Sequence, residues 1–193
     1  MMQDSLVAAV RAVAPEHWLL LSGPSWGSHW GLEHAPPMRD HRSIVGVHFY
    51  EPAVFTHQGA TWTQQRWLED ARDIPFPWDG STCRAWVGSA APTWACDRVS
   101  VSGWSEHWGY IRRAGQRLQR PLWIGEFGVH CSAPAADRHR WLAKVLRSSE
   151  ATPGVIGTSV WAIDECFGLD WPSGDPGAWS ALRLRPPGVA RTP

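Results

Sequence analysis

The chain has no excess of charge of either sign. Its 193 residues carry 18 basic and 18 acidic side chains, so the formal net charge is zero. With neither a basic stripe nor an acidic tail, it offers no electrostatic footprint for nucleic acid or for a membrane surface. Lysine is nearly absent: Lys144 stands alone and every other basic residue is arginine. Together with abundant Ala, Gly and Pro, that bias points to a GC-rich coding sequence more than to a function. Long apolar runs are missing too, since residues 18–21 fall far short of a bilayer span. Residues 1–13 contain no basic n-region and read as a polar-capped helix rather than a signal peptide. The four cysteines, Cys83, Cys96, Cys131 and Cys166, show no C-x-x-C spacing and imply no zinc or other metal site. Cys83 and Cys96 share one Pro/Trp-rich loop and could bridge in an oxidising compartment, though sequence alone does not pair them. No Gly-rich phosphate loop follows any apolar run, so nucleotide binding is unsupported and no cofactor is implied.

What the chain does have is tryptophan: 15, against two tyrosines. An indole presents a broad flat face with a single N–H donor, the shape that stacks on the C–H face of a pyranose ring. Any one of these rings can serve as core. The excess as a set favours a sugar-binding cleft.

The length suits one domain with a sizeable core, or part of a larger one. Apolar periodicity predicts a helix over residues 4–14, with Leu6, Val10 and Val13 on one face and Pro15 ending it. Strands are predicted at 18–22 and 43–50, the second broken by Pro52. Residues 52–103 are rich in Trp and Pro and are expected to form a loop-rich wall beside a site, not a separate domain. Trp104, Trp108, Ile111 and Leu118 recur at helical spacing. A strand at 121–129, a helix at 135–149, a strand at 155–161 and a short helix at 177–184 complete the pattern. Strands alternating with helices predict a parallel α/β sheet.

Glu126 interrupts this pattern. It sits in Leu122-Trp123-Ile124-Gly125-Glu126-Phe127-Gly128, an almost wholly apolar run that otherwise reads as a buried parallel strand. Burying an unpaired carboxylate costs several kcal/mol, so it is either held by an arginine or faces a cleft. Two flanking glycines allow close approach of other groups. His48, Tyr50 and Trp161 fall at the C-terminal ends of two further predicted strands, the face where active sites gather in a (β/α)8 barrel. Suitable groups on one face from three strands favour the cleft.

Three motifs in order carry a family resemblance. Val47-His48-Phe49-Tyr50-Glu51-Pro52 with Phe55-Thr56-His57-Gln58-Gly59-Ala60-Thr61-Trp62 resembles the strand-six region of glycoside hydrolase family 5, the cellulase family. Ile124-Gly125-Glu126-Phe127-Gly128 resembles its strand-seven nucleophile motif, and Trp161 with Cys166-Phe167-Gly168-Leu169 resembles its strand-eight ending. The similarity runs over residues 4–180. The resemblance implies a retaining glycosidase in which Glu126 is the nucleophile, oriented by Tyr50 and supported by His48. It implies that Trp161 is the stacking floor beside the scissile bond, with Trp26 and Trp62 in neighbouring subsites. A polysaccharide substrate, β-1,4-glucan being the expectation, and an extracellular place of action go with it.

The departures from the family are equally specific. The family's acid/base Glu follows an Asn at the end of strand four, and this sequence contains no asparagine at all. No acid/base residue is identifiable, and nothing favours Glu51, Glu106 or Glu165 in that role. What remains corresponds to strands five to eight, the C-terminal half of a (β/α)8 barrel that takes roughly 250 residues. The expectation is therefore a half barrel, from an incomplete gene call in which Met1 or Met2 is an internal codon. Loss of a general acid costs on the order of 10²–10⁴-fold in rate, so little activity is expected of this chain alone. The competing reading is a catalytically dead, carbohydrate-binding half barrel, completed by self-association through its exposed strand edges or by another chain.

Overall fold

Four apolar runs separated by helix-forming segments pair in parallel and in chain order. The computed structural model describes residues 2–77, 92, 101–169 and 176–183. Its single sheet runs β1 (Leu19–Ser22), β2 (Ser43–His48), β3 (Leu122–Glu126), β4 (Val155–Thr158). The helices are α1 (Met2–Val13), α2 (Ala53–Thr56), α3 (Val101–Leu118), α4 (Ala135–Glu150) and α5 (Pro176–Ala181), with 3-10 turns at Gly31–His34 and Arg66–Leu68. The expected strands at 43–50 and 155–161 stop early, leaving Tyr50 and Trp161 in the loops just beyond. At β2 the cause is a contact from another segment: the register shifts between Val47 and His48, and the His48 amide bonds the Gly27 carbonyl at 2.8 Å.

The two faces of the sheet differ. Val45, Val47, Leu122 and Ile124 are fully buried against Ile111 and Leu118 of α3 and Trp141, Leu142 and Val145 of α4. At about 1.5–3 kcal/mol for each buried large aliphatic side chain, this layer holds the fold together. The alternate residues face the other way. A Cβ added to Gly46 would meet Leu20 and Ser22, and one added to Gly157 would collide with the Trp123 ring. On that second face Leu20 is 53% exposed and Trp123 only half-buried. A parallel sheet is normally covered on both sides; among the described residues this one is covered on one, as the wall of a half barrel would be.

Helix α1 runs over Met2–Val13 where 4–14 was expected, and its apolar face is left open. Leu6 and Val13 are 61% and 84% exposed, and no residue of the helix is buried. It is fastened by polar contacts, Arg11 donating from Nε and Nη2 to the Asp40 carboxylate at 2.7 and 2.8 Å. The start of the long segment after β2 shares the main core, since Val54, Phe55, Ala71, Ile74 and Phe76 pack in the same cluster as Val45 and Ile124. The Cys83–Cys96 pairing lies outside the described residues. Among the described residues a disulfide joins Cys131 to Cys166, a pairing of distant loops that spacing did not suggest. Among the described residues no helix is long and apolar enough to cross a membrane.

Candidate active site

Parallel pairing of β2 with β3 brings His48 opposite Glu126. The Tyr50 hydroxyl, two residues further on, donates to Oε2 of Glu126 at 3.1 Å, and His48 Nδ1 lies 3.4 Å from the same oxygen. Glu126 is thus on a strand, not a helix, and among the described residues it has no arginine partner. Half-burial of the carboxylate leaves it open to the face where the strands end. Burial pushes the Tyr50 phenol far above the ordinary tyrosine value, and the Glu126 charge and hydrogen bond push it further. Tyr50 therefore stays protonated, as a hydrogen-bond donor, well above neutral pH.

Glycines shape the surroundings unequally. Gly27 has φ +71°, and a Cβ there would sit 3.2–3.3 Å from three atoms of the His48 ring. A Cβ at Gly128 would strike the Trp161 carbonyl, whereas at Gly125 it would find only ordinary contacts at 3.8–3.9 Å. Of the two glycines flanking Glu126, Gly128 is the one that close approach requires.

Beneath Tyr50 lies a polar layer. Thr56 Oγ1 donates to the Tyr50 carbonyl at 2.6 Å and stands 2.9 Å from His57 Nδ1. The His57 ring packs edge-on against Tyr50, centroids 5.1 Å apart, and against Phe167 at 5.5 Å. Burial first, and His130 second, lower the His57 pKa to about 4. The motif around His57 was visible in the sequence, but its use as support for Tyr50 was not.

The tryptophans divide by location. Trp141, Trp108 and Trp179 are core. Trp26, Trp62 and Trp161 are 93%, 60% and 50% exposed, all in segments that follow strand ends. Trp62 leans on His130 and Phe167, with ring centroids 5.4 and 5.9 Å away. The Trp161 amide bonds the Phe127 carbonyl at 2.8 Å, one residue past Glu126. Trp18 is also 60% exposed, but it precedes β1 and so lies at the opposite end of the sheet.

The three carboxylates named as substitute acids are scattered. Glu51 accepts from Trp30 Nε1 at 3.1 Å and from the Ala53 amide, at the start of α2, at 3.3 Å. Glu106 is exposed on α3, and Glu165 is exposed in the loop after β4. Among the described residues, His130, Cys131 and Cys166 form a group with metal-compatible donor atoms, although two of its members are joined as a disulfide.

The comparisons agree with this architecture. The family model described as Cellulase (glycosyl hydrolase family 5) matches residues 1–164. Cellodextrinase A of Ruminococcus flavefaciens is 36% identical over 152 residues, covering 79% of this chain and 39% of that protein. Endoglucanase C of Acetivibrio thermocellus is 33% identical over 162 residues, covering 80% and 46%. A solved hyperthermophilic endo-β-1,4-glucanase in complex with substrate superposes with a TM-score of 0.69 at 25% identity, over 93% of this chain and 52% of that one. An endoglucanase of Thermotoga maritima gives 0.68 at 23% identity, over 93% and 52%. The chain spans less than half the length of these curated relatives and about half of the solved barrels. By this match and by its half-barrel fold, the chain belongs to the cellulase family, glycosyl hydrolase family 5.

Proposed function

We propose that this chain carries the nucleophile side of a retaining glycoside hydrolase acting on β-1,4-linked, glucan-type polysaccharide outside the cell. The observation that carries the reading is the convergence of Tyr50 Oη and His48 Nδ1 on one oxygen of Glu126. Two groups hold Oε2, while Oε1 makes no hydrogen bond among the described residues. Oε1 attacks the anomeric carbon, the glycosidic C–O bond breaks, and a covalent glycosyl-enzyme forms that water then hydrolyses. Tyr50 orients the carboxylate and stays protonated, and His48 fixes the second contact. Trp161 forms the stacking floor, and Trp26 and Trp62 flank it as neighbouring subsites. Residues 1–193 act as one partial catalytic domain; of the expected wall over 52–103, the described residues 52–77 lie in the segment after β2, residues 101–103 belong to α3, and most of the stretch between lies outside the described residues.

The leaving oxygen needs a proton from a second carboxyl about 5–5.5 Å from the first. Glu51 is engaged by Trp30 and the Ala53 amide, and Glu106 and Glu165 are exposed and share no contact with Glu126 among the described residues. The general acid comes from the complementary half of the barrel, and this chain alone is weak or inactive. The names of the relatives, endoglucanase and cellodextrinase, support the substrate class.

One observation favours a second reading. The uncovered sheet face around Leu20 and Trp123, with the exposed stripe of α1, suits a half barrel completed by a second copy or another chain, binding sugar without turnover. Hydrolysis of an aryl β-cellobioside and a soluble glucan separates the two. The hydrolase reading predicts Glu126-dependent turnover once the complementary half barrel is supplied, abolished by Glu126→Gln. Sugar binding that survives complementation with no turnover, identical in both variants, would establish the second reading.

A further inference from the structure

Cys131 stands five residues beyond Glu126 and Cys166 five beyond Trp161, and their disulfide ties the loop after β3 to the loop after β4. Next to it is His130, 6% exposed. One ring nitrogen of His130 and both sulfurs lie within 4.8 Å of one another. Two sulfurs and an imidazole make a soft donor set, of the kind that selects zinc-class cations over calcium or magnesium. The imidazole is already oriented. The Ser132 amide reaches Nδ1 at 3.3 Å, and the His130 amide bonds the Thr56 carbonyl at 2.9 Å. The rings of Trp62 and Phe167 wall the group.

Charge makes the site conditional. Arg72 and Arg138 both act on His130 through space, so a cation added beside an intact disulfide meets repulsion. Two thiolates reverse that balance, because with one divalent cation they form a neutral unit. We propose that reduction of the Cys131–Cys166 disulfide converts this cluster into a zinc-class cation site, with His130 as third donor and a fourth position for water. A dithiol reductant delivers two electrons and two protons; the S–S bond breaks, two thiols form, and the reductant becomes a disulfide. The cation then displaces the two thiol protons and forms two S–metal bonds and one N–metal bond. A coordinate brace thereby replaces the covalent one between the two loops. The inference rests on these loops alone and stands apart from the glycosidase reading.

Cobalt(II) tests it, because thiolate coordination gives a near-ultraviolet charge-transfer band. The chain bearing Cys83→Ser and Cys96→Ser is reduced with a phosphine, which is oxidised to its oxide while water supplies the thiol protons. The phosphine is then removed and cobalt added. The expected result is one cobalt per chain with the thiolate band, absent from the oxidised protein. His130→Ala should weaken the affinity about tenfold or more. Should the double variant fold poorly, reduced wild type gives the same reading against Cys131→Ser, which must lose the stoichiometric band. No stoichiometric binding by the reduced protein, equal binding by the oxidised protein, or an affinity unchanged in His130→Ala would overturn the proposal.

Discussion

The Tyr50 hydroxyl donates to Oε2 of Glu126 at 3.1 Å, joining the loop after β2 to the end of β3. Because burial and the carboxylate both raise the phenol's pKa, Tyr50 should contribute no phenolate signal near the ordinary value of about 10. Alkaline absorbance titration of wild type against Tyr50→Phe reads this directly. A phenolate increment near pH 10 assigned to Tyr50 would mean that the contact is absent in solution. Loss of one hydrogen bond to a charged group, worth about 1.5–3 kcal/mol, should also slow attack by Glu126 about tenfold to a hundredfold.

Space around the site predicts an ordering among glycine variants. Gly27→Ala places a methyl against the His48 ring at positive φ and should cost about 1–3 kcal/mol. Gly128→Ala should be worse, as its Cβ meets the Trp161 carbonyl. Gly125→Ala has room and should stay within about 1 kcal/mol of wild type. Urea denaturation midpoints check the series, and equal destabilisation at Gly27 and Gly125 would contradict it.

His57 makes stability pH-dependent. Its folded pKa of about 4 lies below the ordinary 6.5, so the neutral form is favoured in the fold. Between pH 6.5 and 4 the unfolded chain binds a proton that the folded chain does not, and stability falls as pH falls through that window. Above pH 6.5 the contribution is complete. Its full size is on the order of 3 kcal/mol, with His130, also lowered, acting in the same direction. Tm measured across pH 4–8 should show this slope, flattened in His57→Gln. A slope unchanged in the variant would place the titrating group elsewhere.

The exposed tryptophans should separate binding from folding. Trp26→Ala and Trp161→Ala, with little to lose from the core, should shift stability by no more than about 0.5–1 kcal/mol while weakening cello-oligosaccharide binding. Trp141→Ala, fully buried and donating to the Glu51 carbonyl at 2.9 Å, should cost about 3–5 kcal/mol. Calorimetric titration with a cello-oligosaccharide, beside thermal melts, distinguishes the two classes.

The strands and long helices were legible in sequence because apolar period and breakers such as Pro15 and Pro52 are local signals. Glu126, Tyr50 and His48 were legible for the same reason: a polar group at the end of an apolar run stands out. Strand ends were overextended, since the shift between Val47 and His48 depends on partners from other segments. The fate of Leu6, Val10 and Val13 was illegible because an apolar stripe says nothing of whether its cover is present. The Cys131–Cys166 bond depends on parallel pairing of β3 with β4, which places side by side two loops whose cysteines lie 35 residues apart, and the His57–His130 layer depends in the same way on pairing of β2 with β3.

The most direct test of Glu126 as nucleophile removes the need for the general acid. A 2-deoxy-2-fluoro cellobioside with a dinitrophenyl leaving group departs without protonation, and its fluorine slows hydrolysis of the glycosyl-enzyme. Intact-mass and peptide analysis of the isolated chain should find one glycosyl adduct, on Glu126, forming more slowly in Tyr50→Phe and absent from Glu126→Gln. An adduct on another carboxylate, or none under conditions in which the sugar binds, would contradict the account.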